Sequence, residues 1–135
     1  MLVGEGKMEV YNFFVAGIPK PQPRPRITKS GHVYTPESVK VWKDAVKLTA
    51  LKHFDQTILT EPLVVTIRFY LPKPKGMKQL GKVFHSKKPD IDNLLKSTLD
   101  ALCPLWEDDS LVSRVYAEKY YGDEAGGAYY HWNIA

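Results

Sequence analysis

The stretch Pro89-Asp90-Ile91-Asp92-Asn93-Leu94-Leu95-Lys96-Ser97-Thr98-Leu99-Asp100-Ala101-Leu102 reads as one amphipathic helix, and its place between strand-like segments decides the fold. At about 100° per residue, Ile91, Leu94, Leu95, Leu99, Ala101 and Leu102 share an apolar arc. Asp92, Asn93, Lys96 and Asp100 fall opposite, with Asp92 and Lys96 one turn apart, the spacing of a surface ion pair. Asp90 follows a proline and precedes the first apolar residue, the position of an N-cap, and Pro104 ends the helix.

Upstream of this helix, Leu63, Val65, Ile67, Phe69 and Leu71 alternate with Val64, Thr66, Arg68 and Tyr70, the period of a long strand. Downstream, Leu111 to Tyr121 and Ala128 to Ile134 read as two strands of a hairpin, with Gly122, Gly126 and Gly127 in the turn. Further back, Thr35 as N-cap, Pro36 at the first helical position and Glu37 open a second helix. Val39, Trp42, Val46, Ala50 and Phe54 carry its buried face, and Lys40, Lys43 and Lys47 its outer face. Val10 to Ile18 is aromatic and β-branched, a first strand. Residues 32–34 form a short strand. The order is β-α-β-α-β-β, which gives an α+β class: one domain over residues 1–135, a mixed sheet and two main helices.

Composition is that of a folded soluble chain, with 44% apolar and 25% charged residues. No apolar run approaches the roughly 18 residues of a membrane span. Met1 to Val10 lacks a basic region followed by an apolar core, so no secretory signal is read there. Cys103 is the single cysteine, which excludes an internal disulfide, fits a reducing cytoplasm and reads as a small buried hydrophobe. The four histidines (His32, His53, His85 and His131) are scattered and read as structural or solvated.

Charge is unevenly spread. Residues 1–88 hold 16 Lys/Arg against 6 Asp/Glu, whereas residues 89–135 hold 3 against 9. A basic part followed by an acidic part suggests a polyanionic partner. Two segments carry the positive charge. Pro19-Lys20-Pro21-Gln22-Pro23-Arg24-Pro25-Arg26, with Lys29 beyond, is held extended by four prolines. Residues 72–89 have six lysines and no acid, a long basic loop. Phosphate contacts are assigned to Arg24, Arg26, Lys29, Lys73, Lys75, Lys87 and Lys88, with Lys119 added to the DNA-binding set.

The acidic part holds the chemistry. Asp90 and Asp92 sit at a helix start, and Trp106-Glu107-Asp108-Asp109 brings further carboxylates to the head of a strand. Acids at a helix start are ordinarily explained by the helix dipole alone. Their company here, a lysine one turn on and a basic loop just before, points instead to hard oxygen ligands for magnesium or manganese and to phosphodiester hydrolysis. An EF-hand loop begun at Asp90 would need glycine and glutamate where Leu95 and Ala101 stand. No Walker loop, Gly-x-Ser-x-Gly or zinc spacing occurs.

The run Asp90-Ile91-Asp92-Asn93-Leu94-x-Lys96-x-x-x-Asp100-Ala101-Leu102, with Trp106-x-Asp108-Asp109-x-x-Val112 and Lys119, closely resembles the RusA family of Holliday junction resolvases. The resemblance implies a small homodimeric, cytoplasmic endonuclease of bacteria and their prophages, acting in recombination and repair. It implies Asp90, Asp92 and Asp109 as catalytic, metal-binding carboxylates and Lys96 as the essential lysine. It also implies Mg2+, with Mn2+ as a possible substitute, and paired symmetric nicks in a four-way junction or other branched DNA. Competing readings are a flap or fork nuclease of the same fold, a non-catalytic branched-DNA-binding protein, and a structural or phage-packaging factor.

Overall fold

The structure is a computed structural model and describes residues 10–23, 26–27, 29–31, 33–34, 36–54, 58–77 and 83–133. Its elements in chain order are β1 (Val10–Ala16), β2 (Arg26–Ile27), β3 (Val33–Tyr34), α1 (Glu37–His53), β4 (Leu63–Pro72), β5 (Val83–Phe84), α2 (Ile91–Leu102), β6 (Val112–Gly122) and β7 (Gly126–Asn133). Two 3-10 turns, Cys103–Leu105 and Asp109–Leu111, link α2 to β6. The α+β class with one mixed sheet and two helices is as expected. None of the described helices is long and apolar enough to cross a membrane.

The five-stranded sheet has the order β1-β7-β4-β6-β5, and β2 pairs with β3 separately. The expected β6–β7 hairpin is not formed. β4 lies between the two, parallel to β6 and antiparallel to β7. A parallel pair cannot be joined by a tight turn and needs a crossover, which the segment through α2 supplies. Residues 123–125 then step past the end of β4, where Lys73 Nζ meets Asp123 Oδ1 at 2.7 Å. Glycine is required at this crossing for space rather than for a turn. A Cβ at Gly126 would lie 2.3 Å from the Val15 carbonyl oxygen, and one at Gly122 would lie 2.8 Å from Tyr70 Cβ. β7 is consequently an interior strand, with Tyr129 and His131 buried.

Both helices cover one face of the sheet. Leu63, Val65, Ile67, Phe69 and Leu71 of β4 point into a core shared with Phe13 and Val15 of β1 and with Trp42, Val46 and Ala50 of α1. Helix α1 starts one residue later than expected: Pro36 stands at the cap with extended backbone, and its carbonyl accepts from Val39 and Lys40 N–H. Thr35 lies outside the described residues.

Helix α2 departs more instructively. Its buried face is Leu94, Ser97, Thr98, Ala101 and Leu102, while Leu95 and Leu99 are only half-buried. The two hydroxyls tolerate burial because both are bonded. Ser97 Oγ donates to the Lys20 carbonyl at 2.6 Å, and Thr98 Oγ1 accepts from Trp42 Nε1 at 3.1 Å while donating to the Leu94 carbonyl. The first bond, with Gln22 N–H donating to the Asn93 carbonyl at 2.9 Å, stitches the proline-rich segment onto the first turns of α2. Cys103 is exposed just past the end of α2, where the 3-10 turn lifts it off the core; the reading of a buried cysteine fails there. The basic stretch 72–89 is not all loop, since β4 runs to Pro72 and β5 pairs with β6 through Val83 and Phe84.

Candidate active site

A cleft of about 310 Å³ opens between α2 and the head of β6, lined by Asp92, Leu95, Lys96, Leu99, Asp100, Trp106, Asp109 and Val112. Leu95 and Leu99 supply its apolar floor, and this explains their incomplete burial. On one face of α2, Asp92, Lys96 and Asp100 follow at four-residue steps and so stand one above another.

Asp109 reaches the same cleft from a different element. Residues 105–107 are tied to the chain before β4: Leu59 N–H donates to the Leu105 carbonyl and Glu107 N–H to the Leu59 carbonyl, each at 2.9 Å. The turn that follows is therefore fixed. Its cap is Asp108, whose Oδ1 accepts from Ser110 N–H at 2.8 Å, and that bond holds the carboxyl below its ordinary range. Asp109 Oδ1 instead accepts from Trp106 Nε1 at 3.0 Å, and its second oxygen makes no hydrogen bond among the described residues, while the residue lines the cleft. Of the two neighbouring acids, one closes the turn and the other faces the cleft.

Asp90 occupies the N-cap of α2, as expected, yet its side chain makes no capping bond. Its backbone carbonyl accepts from Leu94 N–H at 3.1 Å, and the carboxylate is exposed. It is not among the residues that line the cleft. Asp92 likewise makes no hydrogen bond or ion pair among the described residues. Lys96 pairs with Asp100, Nζ to Oδ2 at 3.8 Å, rather than with Asp92. Asp100 is the cleft residue that sequence reasoning left unassigned, although its four-residue spacing from Lys96 was visible.

The oxygen donors suit a hard divalent cation, with Asp92, Asp100 and Asp109 in one cleft and the Asp90 carboxylate two residues from Asp92. Among the described residues, no three carboxylate, histidine or cysteine side chains stand close enough together to hold a metal as they are placed.

The basic residues divide. Lys29, Lys75, Lys87 and Lys88 are exposed, and the last two immediately precede α2. Lys73 is engaged with Asp123. Lys119 points not outward but to the Lys87 and Pro89 carbonyls, at 2.8 and 2.7 Å. Arg24 lies outside the described residues; Arg26 stands on β2, and only its backbone is described. His85 packs on Tyr121 with ring centroids 4.6 Å apart, and its pKa is lowered by burial first and by Lys119 second.

Comparison with known families gives a match over residues 16–129 to the model described as Endodeoxyribonuclease RusA, which includes the whole cleft. The chain belongs to the RusA family. It is also 34% identical over 130 residues to the uncharacterized protein YqaN of Bacillus subtilis (strain 168), covering 87% of this chain and 92% of that protein. Membership makes the chain one of an endodeoxyribonuclease family, and the RusA match spans β4, α2, β6 and the turns that carry every carboxylate of the cleft.

Proposed function

We propose that this RusA-family chain is a magnesium-dependent, structure-selective endonuclease that resolves four-way DNA junctions by paired symmetric nicks, as a homodimer. One observation carries the reading: Asp92 of α2 and Asp109 of the turn before β6 face one cleft with Lys96, their carboxylates not consumed by capping. Asp90, Asp92 and Asp109 would hold the ion, which supplies electrostatic stabilisation of charge developing on the phosphodiester.

The remaining work falls to the chain itself. Lys96, tethered to Asp100 only by a long and exposed pair, is free to turn its ammonium to the phosphate beside Asp92. Lys87 and Lys88 lie just before α2 and are exposed. Positive charge beside an acidic cleft draws the backbone of DNA toward the carboxylates. The apolar floor of Leu95, Leu99, Trp106 and Val112 limits water on the side away from the strand. Two nicks related by the two-fold symmetry of a junction require two such sites, which a symmetric dimer of one gene product provides.

The test is nicking of synthetic four-way, flap, fork and linear duplex DNA side by side, with magnesium and with chelator. Symmetric paired nicks in the four-way substrate, lost in chelator, are expected. Equal or faster cutting of flaps or forks would move the substrate to those structures, and binding without cutting would leave a DNA-binding protein.

A further inference from the structure

We propose that Lys119 is a positioning residue for Asp90: from β6, its ammonium clamps the backbone that delivers this carboxylate to the site. The inference rests on Asp90 acting in the proposed metal chemistry. Nζ of Lys119 lies 2.8 Å from the Lys87 carbonyl oxygen and 2.7 Å from that of Pro89, whose carbonyl belongs to the peptide leading into Asp90. The backbone of the same residue holds the other end of the segment, since His85 N–H donates to the Lys119 carbonyl at 3.0 Å. β5 has ended at Phe84 and α2 begins at Ile91. Among the described residues, the hydrogen bonds that tie residues 86–89 to the sheet are the two from the Lys119 ammonium.

Charge alone placed Lys119 on the DNA surface. The geometry turns it inward. Bonds from an ammonium to carbonyl oxygens at these lengths are the strong, charge-assisted kind, and they occupy two of its three N–H groups. The segment they hold would otherwise be an exposed run carrying Lys87 and Lys88, which repel each other. Asp90 is not held by a capping bond of its own, so the clamp at Pro89 fixes where its carboxylate projects. Groups that orient a metal-binding side chain in this way typically matter by about 10–100-fold in metal affinity or activity.

The variants Lys119→Met, which keeps the stem and removes every donor, and Lys119→Arg, which restores donors, test this on the full chain. Three readouts apply: manganese binding followed by electron paramagnetic resonance, steady-state nicking of a four-way junction, and hydrogen exchange of peptides spanning 85–91 without metal. For Lys119→Met, manganese affinity and kcat should each fall about ten-fold, with KM and salt dependence unchanged and exchange at 85–91 faster. Lys119→Arg should recover part of each. A raised KM and flatter salt slope with unchanged manganese affinity would make Lys119 a phosphate contact and overturn the proposal. So would a lowered Tm with normal affinity and kcat, the mark of a purely structural lysine. If the wild type neither binds manganese nor cuts any branched substrate, the nuclease reading fails by itself; unchanged exchange in Lys119→Met would then refute the clamp separately.

Discussion

Two regions beneath the same two helices treat their polar groups in opposite ways. Under α1, Tyr129 and His131 are buried and bonded to each other, Tyr129 Oη to His131 Nδ1 at 2.9 Å, with Tyr11 and Phe54 rings against the imidazole and His131 Nε2 buried without a partner among the described residues. At the edge of α2, Asp92 is exposed and unpaired among the described residues, where Asp109 likewise spends only one oxygen, on Trp106. Buried polar groups are costly unless paired, so the Tyr129–His131 bond offsets part of that cost and changes in the first region bear on stability. The carboxylates of Asp92 and Asp109 line one cleft with unused lone pairs, which leaves them available to a ligand. Mutations in one region should move activity and leave stability, and in the other the reverse.

The largest effect is expected at Asp92→Asn. Nicking should fall by about 100-fold or more, since removing a group that stabilises charge in a transition state costs on the order of 3 kcal/mol. Tm should hold within a degree or two, because Asp92 takes part in no hydrogen bond or ion pair among the described residues. Metal-free binding to a junction should survive or tighten as repulsion of the phosphates is reduced. Near-normal nicking by the folded variant would dissolve the contrast between the two regions.

Next is the pH dependence of stability. Burial depresses the His131 pKa from 6.5 to about 4. Between those values the unfolded chain binds a proton that the folded chain refuses, so stability rises with pH across this window and is lost as pH falls below 6.5. The shift makes the protein about 2 kcal/mol less stable at pH 5 than at pH 7 from this residue. Denaturant titrations at the two pH values on wild type and His131→Gln should show the difference shrinking in the variant. An equal pH dependence in both would mean that His131 is not the buried neutral base its surroundings make it.

Trp106→Phe sits on the border of the two regions. It keeps most of a buried ring but withdraws the N–H that aims Asp109. A loss of about ten-fold in kcat is expected, of the size that removal of an orienting partner usually brings. Unchanged kcat would show that the turn alone aims Asp109.

The smallest effect belongs to Asp108→Asn. Asparagine caps as well as aspartate, so both stability and nicking should stay close to wild type, whereas Asp109→Asn one residue on should behave like Asp92→Asn. Loss of nicking in Asp108→Asn, measured beside Asp109→Asn, would exchange the roles of the two acids.

Much of this was legible in the chain because periodicity is local. The three-and-four spacing of Val39, Trp42, Val46 and Ala50 and the alternation from Leu63 to Leu71 report elements that form from near neighbours, and both stand as read. The candidate acids Asp90 and Asp92 were legible because their motif is contiguous at 90–96. What stayed hidden did so for one reason, namely that the partner lay far off in sequence. The bonds that let Ser97 and Thr98 be buried come from the Lys20 carbonyl and the Trp42 indole, 77 and 56 residues away. The carbonyl that the Lys119 ammonium meets belongs to Pro89, 30 residues earlier. The glycines at 122 and 126 look like a hairpin turn until β4 is inserted between the strands they join.

The sequence by itself determined the α+β class, the two helices, the long strands and the identity of the acidic motif, since each depends on side-chain period or on adjacent residues. Only the tertiary structure decided that β7 is interior, that Leu95 and Leu99 floor a cleft rather than fill the core, and that Asp108 caps while Asp109 faces the cleft. Those outcomes depend on which strand β4 pairs with on each side, a choice made by burial summed over the whole sheet. A local pattern states which faces are apolar. What covers each face is settled only when the chain closes on itself.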